Sequence, residues 1–198
     1  SNLYKGNCLE NFEVETNDKG ESIKFEDKVL QLSPNKAIMN PPYNDDAAPE
    51  FTLRLVRLLK MAGNGIRTAC VIAPSNCLRK KPEISKKIFK EARLTSVIDM
   101  NIGLFSSQKI SAKTSIFIFV VGEPHVGETY FYDFKNDGYR YSERKMEDLG
   151  DFDLMKNNAI VNIRESKAIQ GLSYKDKIDE VTFANTLFAV EVEEAYTN

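Results

Sequence analysis

Histidine is scarce in this chain. The single one is His125, and one imidazole alone cannot build a histidine-based metal site. It lies in the Gly/Pro-flanked stretch GEPHVGE, which reads as an exposed loop. Cysteine is scarce too. Cys8, Cys70 and Cys77 are odd in number, widely spaced and without a C-x-x-C pair, which argues against a disulfide framework and a zinc ribbon. No metal is expected. There is also no excess of positive charge: 27 basic residues face 29 acidic ones, for a net charge of −2 and a pI near 5.6. That excludes nucleic-acid binding by bulk electrostatics, so a DNA partner would need a local basic patch. No apolar run approaches the roughly 18 residues of a membrane span. The start SNLYKGNCLENF lacks the apolar stretch of a signal peptide. The cytoplasm is the expected location, with no membrane partner. Repeats and low-complexity tracts are absent.

What remains is an ordinary globular composition. Of 198 residues, 42% are hydrophobic and 28% charged, enough to fold around a core. The length fits one domain, or one domain with an appendage.

Periodicity predicts a short strand at 2–5, then a polar stretch over 15–35 with room for a small hairpin. A strand is expected at Lys36–Met39, and two prolines end it. The following helix has Asp45 or Asp46 as cap and Pro49 in its first turn. Phe51, Leu55, Leu58, Leu59 and Ala62 recur on it at helical spacing, and Gly63-Asn64-Gly65 stops it. Arg67–Ala73 reads as a strand buried on both faces. A second amphipathic helix fits Pro82–Arg93, with Ile84, Ile88 and Ala92 on one stripe. Strands follow at 97–100, 115–121 and 130–134. This alternation points to an α/β sheet with helices on its faces. The strands at 97–100 and 115–121 have no clear helix between them, so an antiparallel pair near one edge is expected. Residues 142–149 suggest a short helix. The tail from 176 to 198 carries six acidic residues and one basic one, a surface helix or loop.

The strongest motif is Asn40-Pro41-Pro42-Tyr43, a rigid turn after a buried strand. In open α/β sheets ligands bind at that end of the strands. The prolines fix φ and offer no N–H, leaving carbonyls as acceptors. Asn40 adds a side-chain acceptor and Tyr43 a flat face. Together they suit a planar amine that donates two hydrogen bonds and stacks. A purely structural Pro-Pro turn is the alternative.

AIMNPPYN resembles the catalytic motif of the amino-group DNA methyltransferases that modify adenine N6. LRLVRLLKMAGNGIRTACVIAPSNCL, IDMNIGLFSSQKISAKTSIFIFVV and YFYDFKNDGYRYSERK resemble later segments of the modification subunits of type I restriction systems. The likeness covers roughly 36–145, with looser similarity at LYKGNCLENF. It implies an S-adenosylmethionine-dependent, Rossmann-like sheet lacking its first strands, with residues 1–150 as the catalytic part and 151–198 as an extension. It implies Asn40, Pro41, Pro42 and Tyr43 as the catalytic group, with Tyr43 stacking on a flipped-out adenine. Phe105 would pack on the other face, and Lys109 and Lys113 would meet phosphate. Arg79, Lys80, Lys81, Lys86, Lys87 and Lys90 offer either a phosphate-binding patch or a solvated helix face. The implied cofactor is S-adenosylmethionine, and Asn7 stands where the family often has an acidic residue against the cofactor's adenine.

The family's Gly-rich cofactor turn has no counterpart here. The one G-x-G, Gly63-Asn64-Gly65, follows a helix and precedes a strand, the wrong direction for such a cradle. The expectation is therefore a catalytic piece of a longer enzyme, cut before the third cofactor motif. The implied partners are DNA, a specificity subunit, a restriction subunit as a further candidate, and self-association to cover exposed sheet. A scaffold or DNA-binding module without cofactor binding remains open, as does methylation of cytosine N4 or a glutamine amide. Asn rather than Ser at position 40 favours adenine.

Overall fold

A computed structural model describes residues 4–43, 47–101, 113–134, 136–142 and 145–178. The polar N-terminal stretch forms a hairpin, β1 (Glu13–Thr16) with β2 (Ser22–Lys24), and runs directly into α1 (Phe25–Leu32). This helix departs from the expected loop. It starts at Lys24, with no side-chain cap, and none of its residues is buried. It is held to the rest by Phe12 stacked on Phe25 and by the Arg54–Glu26 ion pair.

The expected strand then appears as β3 (Lys36–Met39), followed by α2 (Ala48–Met61) and β4 (Arg67–Pro74). The expected caps Asp45 and Asp46 lie one inside and one at the end of a stretch outside the described residues. The N-cap position is Ala47, and Pro49 sits in the first turn. Of the expected inward residues of α2, Leu58, Leu59 and Ala62 are buried and Phe51 and Leu55 only half-buried; Ala48, Thr52 and Val56 complete the buried stripe. Thr52 fits there because its hydroxyl donates to the Ala48 carbonyl at 2.7 Å, which satisfies a buried polar group within the helix.

A short α3 (Cys77–Lys80) and α4 (Pro82–Glu91) lead straight into β5 (Ala92–Met100). Ala92 belongs to the strand rather than the helix, and Ile88 and Phe89 are the large side chains that α4 buries. Next come β6 (Thr114–Val121) and β7 (Glu128–Phe134). The short helix expected over 142–149 does not occur among the described residues of that range. Instead β8 (Tyr139–Tyr141) pairs with β9 (Met146–Asp148); β8 half-buries its two tyrosines, whereas β9 is exposed throughout. Then α5 (Phe152–Glu165) and β10 (Ser173–Lys177) return to the main sheet.

The six strands lie in the order β10-β7-β5-β6-β4-β3. The pairs β3–β4 and β5–β7 are parallel. β6 runs antiparallel to both β4 and β5, and β10 antiparallel to β7. The expected antiparallel pair, β5 with β6, is thus present, but it lies at the centre of the sheet and not near an edge. β3, β4, β5 and β7 all point one way and end at one rim. On one face α2 and α4 cover Val71, Leu94, Val97, Phe117 and Phe119, the main core. On the other, α5 packs near Ile98, Tyr130 and Tyr132. β3 is the outer strand, and Ile38 on it is 79% exposed. No described helix is long and apolar enough to cross a membrane.

His125 corrects the reading of an exposed loop residue. It is in a loop, but half-buried and bonded at both ring nitrogens. Nδ1 accepts from the Leu94 N–H at 3.2 Å, so Nε2 carries the hydrogen and donates to the Ile178 carbonyl at 2.6 Å. The imidazole stitches β5 to the end of β10. Burial lowers its pKa.

Candidate active site

β3 and β4 run side by side with Met39 opposite Val71. Asn40-Pro41-Pro42-Tyr43 therefore begins at the rim where the parallel strands end, the ligand-binding side of such a sheet. Pro41 is buried and anchors the turn. Asn40 and Pro42 are exposed, and Tyr43 is half-buried. Burial raises the pKa of the Tyr43 phenol, so it is neutral near pH 7. The turn thus presents an exposed amide beside a half-covered ring.

One helix adjoins this turn. α2 starts just after it. At the other end of α2, Arg67 is buried and donates to the carbonyls of Ala62 (3.1 Å), Gly63 (3.0 Å) and Pro34, with Ser33 Oγ at 3.5 Å. A guanidinium at a helix C-terminus complements the helix dipole. The same group holds Pro34, just before β3. Gly63 stops the helix as expected: its φ is 136°, and a Cβ there would sit 2.6 Å from Arg67 Nη2. Only glycine allows that approach.

The rim also carries Asp99 at the end of β5 and Lys113 and Ser115 at the start of β6. Lys113 Nζ lies 3.4 Å from Asp99 Oδ2. Ser115 Oγ donates to Asp99 Oδ1 at 2.6 Å and is 2.6 Å from Ser75 Oγ. The structure thus brings Lys113 to the same rim as Asn40, already engaged by a carboxylate. Phe105 and Lys109 lie outside the described residues. The Asp99–Ser115–Ser75 contacts escape sequence reasoning, since two strands and the turn after a third supply them and no spacing marks them.

Asn7 is exposed, in a turn before β1. Its Oδ1 accepts from the Leu9 N–H at 3.1 Å, and its Nδ2 donates to Glu10 Oε1 at 2.7 Å. Both ends of the amide serve its own turn. An S-adenosylmethionine pocket calls for a strand, a glycine turn and a helix in that order, and the described residues contain no such unit at the rim. They do not build that pocket. No cluster of metal-ligating side chains occurs among the described residues. Of the basic candidates, Lys81 pairs with Glu50 (2.7 Å) and Lys86 with Glu83 (3.3 Å), while Lys80, Lys87 and Lys90 are exposed.

A family model described as N-6 DNA methylase matches residues 11–196. No curated protein matches the chain. Several solved structures share its fold. One is described as a modification subunit of a type I restriction enzyme from Vibrio vulnificus YJ016 (TM-score 0.50, 13% identity, 75% of this chain and 35% of that one). Another is the type I restriction-modification methyltransferase subunit from Streptococcus thermophilus (0.55, 16%, 71% and 34%). A third comes from work on complex assembly and conformational transition of the type I restriction-modification system (0.52, 14%, 79% and 37%). The chain covers 34–37% of the length of these proteins.

Proposed function

Since the chain belongs to the N-6 DNA methylase family, we propose that it carries the amine-binding part of a DNA adenine N6-methyltransferase of the restriction-modification type. The observation that carries this reading is the placement of Asn40–Tyr43 at the rim of parallel strands, with the Asn40 amide exposed. Adenine N6 is a weak nucleophile because its lone pair is delocalised into the ring. The Asn40 side-chain oxygen and the Pro41 carbonyl accept its two N–H groups. That favours a pyramidal nitrogen with its lone pair exposed; S-adenosylmethionine, when bound, would supply a methyl group whose bond to the sulfonium sulfur breaks as the N–C bond forms, the thioether leaving with the electron pair. The nitrogen then sheds one proton to solvent. No covalent enzyme intermediate forms, so the chain's contribution is positioning and electrostatics. Because N6 lies inside the duplex, the adenine is flipped out and stacks on Tyr43. Phe105 is proposed for the opposite face, with Lys109 and Lys113 near phosphate.

S-adenosylmethionine is the proposed methyl donor, held by residues outside those described. In this reading, residues 1–150 supply the catalytic part and 151–198 the extension. DNA, a specificity subunit, a restriction subunit and a second copy of the chain are the proposed partners. The open strand β3 with its exposed Ile38 supports a partner at that edge.

Asn40→Ala and Tyr43→Ala test the site. Each should cut methylation of adenine-containing DNA by about 10²-fold or more, whereas Tyr43→Phe keeps the stacking face and most of the turnover. Full activity in Asn40→Ala would refute the assignment. A second reading, a DNA-binding scaffold without catalysis, draws on one observation: the described residues do not build a cofactor pocket. A chain that binds DNA but supports no methylation in any complex would favour it.

A further inference from the structure

Ser115 and Ser75 are buried polar residues at the rim of the sheet. Ser115 is fully buried and Ser75 is 8% exposed. Alanine would fill both places without asking for partners, so the pair needs a reason. Its hydrogen bonds have a fixed direction. A serine has one hydroxyl hydrogen, and an ionised carboxylate only accepts. Ser115 spends its hydrogen on Asp99 Oδ1 at 2.6 Å. Ser75, 2.6 Å from Ser115 Oγ, must therefore donate to it. The chain runs Ser75 to Ser115 to Asp99, and Lys113 closes it on the other carboxylate oxygen at 3.4 Å. The Ser75 N–H also donates to the Lys113 carbonyl at 2.9 Å. The turn that follows β4 is thus held to β6 by backbone and side chain together. A charged end polarises such a chain and strengthens each link.

Its location gives the chain a use. Val71 pairs with Met39. Ser75 is four residues beyond Val71, and Tyr43 is four residues beyond Met39. β3 stops at Met39 and β4 runs on to Pro74, so the two turns leave neighbouring parallel strands at the same end of the sheet. We propose that Asp99 is a positioning residue for methyl transfer, acting through Ser115 to fix Ser75 and the turn that flanks Asn40–Tyr43. This rests on the methyltransferase reading. Asp99 does not touch substrate; it sets the wall against which the base is aligned. A shift of about 1 Å in such a wall can cost on the order of 10²-fold in rate.

The test uses the complex in which this chain methylates DNA, and reads kcat, KM for DNA and Tm for Ser115→Ala, Asp99→Asn and the double variant Ser75→Ala/Ser115→Ala. Ser115→Ala should lower kcat about 10- to 100-fold, with KM and Tm nearly unchanged. Asp99→Asn keeps the shape and should fall between that variant and the parent. The double variant should be no worse than Ser115→Ala, because the serines act as one unit. If kcat stays at the parent level in Ser115→Ala and Asp99→Asn, with or without a drop in Tm, the chain only stitches strands and the proposal fails. Asn40→Ala, run alongside, separates the two ideas. Loss of turnover there with none in Ser115→Ala overturns only this inference. Retained turnover in Asn40→Ala overturns the methyltransferase site and the inference with it.

Discussion

Arg67→Ala removes one side chain that ties the C-terminal end of α2 to the segment just before β3. Arg67 is 5% exposed. It donates to the carbonyls of Ala62, Gly63 and Pro34. Bonds from a charged donor contribute about 1.5–3 kcal/mol each, so three give about 4–9 kcal/mol gross. Deletion also removes the cost of keeping a guanidinium out of water, which is several kcal/mol. Some of the abandoned carbonyls can be rehydrated, because Gly63 and Arg67 line an open hollow of about 500 Å³. A net loss of about 3 kcal/mol follows, comparable to breaking other buried charged contacts. For a domain of this length that is a Tm shift of roughly 6–12 °C. Urea unfolding of the two proteins at pH 7.5 measures it. Arg67→Lys should lose about half as much, since one ammonium cannot span three carbonyls set around a planar fork. A loss below about 1 kcal/mol, the level of ordinary surface changes, would refute the reasoning.

Other outcomes follow from the same contacts. The folded state lowers the pKa of His125, so below about pH 6.5 the unfolded chain binds more protons there. Stability contributed by this group is full above that pH and declines as pH falls; the urea midpoint should drop between pH 7.5 and 5.5 by more in the parent than in His125→Gln. Cys77 is buried and its thiol is pushed up to about 12, whereas Cys8 is exposed. A thiol reagent at pH 8 should label Cys8 at once and leave Cys77 until the protein unfolds, a sequence that peptide mapping would read. Ser166 ends α5 in the left-handed region, with φ 46°. Ser166→Gly should stabilise by about 1 kcal/mol, seen as a Tm rise of roughly 2–4 °C.

Much of the fold was legible because its central elements obey simple periods. Val71, Phe117 and Phe119 belong to strands apolar enough to be recognised without neighbours. The Pro-Pro pair marks the end of β3, and Gly63 marks the end of α2. The elements that escaped lack such marks. α1 begins at a lysine instead of a capping residue and buries nothing completely. β9 is Met-Glu-Asp, exposed throughout. α4 meets β5 between Glu91 and Ala92 with no glycine or proline to announce the change. Part of the stripe on α2 is hidden because Thr52 looks polar in sequence, although its hydroxyl is satisfied within the helix. His125 looked like a turn residue because only the fold brings Leu94 and Ile178 to its two nitrogens. The site divides the same way. Asn40–Tyr43 is contiguous and readable, while Asp99, Ser115 and Ser75 meet only through strand order.

The central claim is that Asn40–Tyr43 presents an adenine amine for methylation. The most direct measurement is the identity of the modified base. DNA incubated with the methylating complex of this chain and isotope-labelled S-adenosylmethionine is digested to nucleosides and analysed by mass spectrometry. The account expects label on adenine N6, lost in Asn40→Ala. Label on cytosine N4, or label on adenine that survives Asn40→Ala, would contradict it.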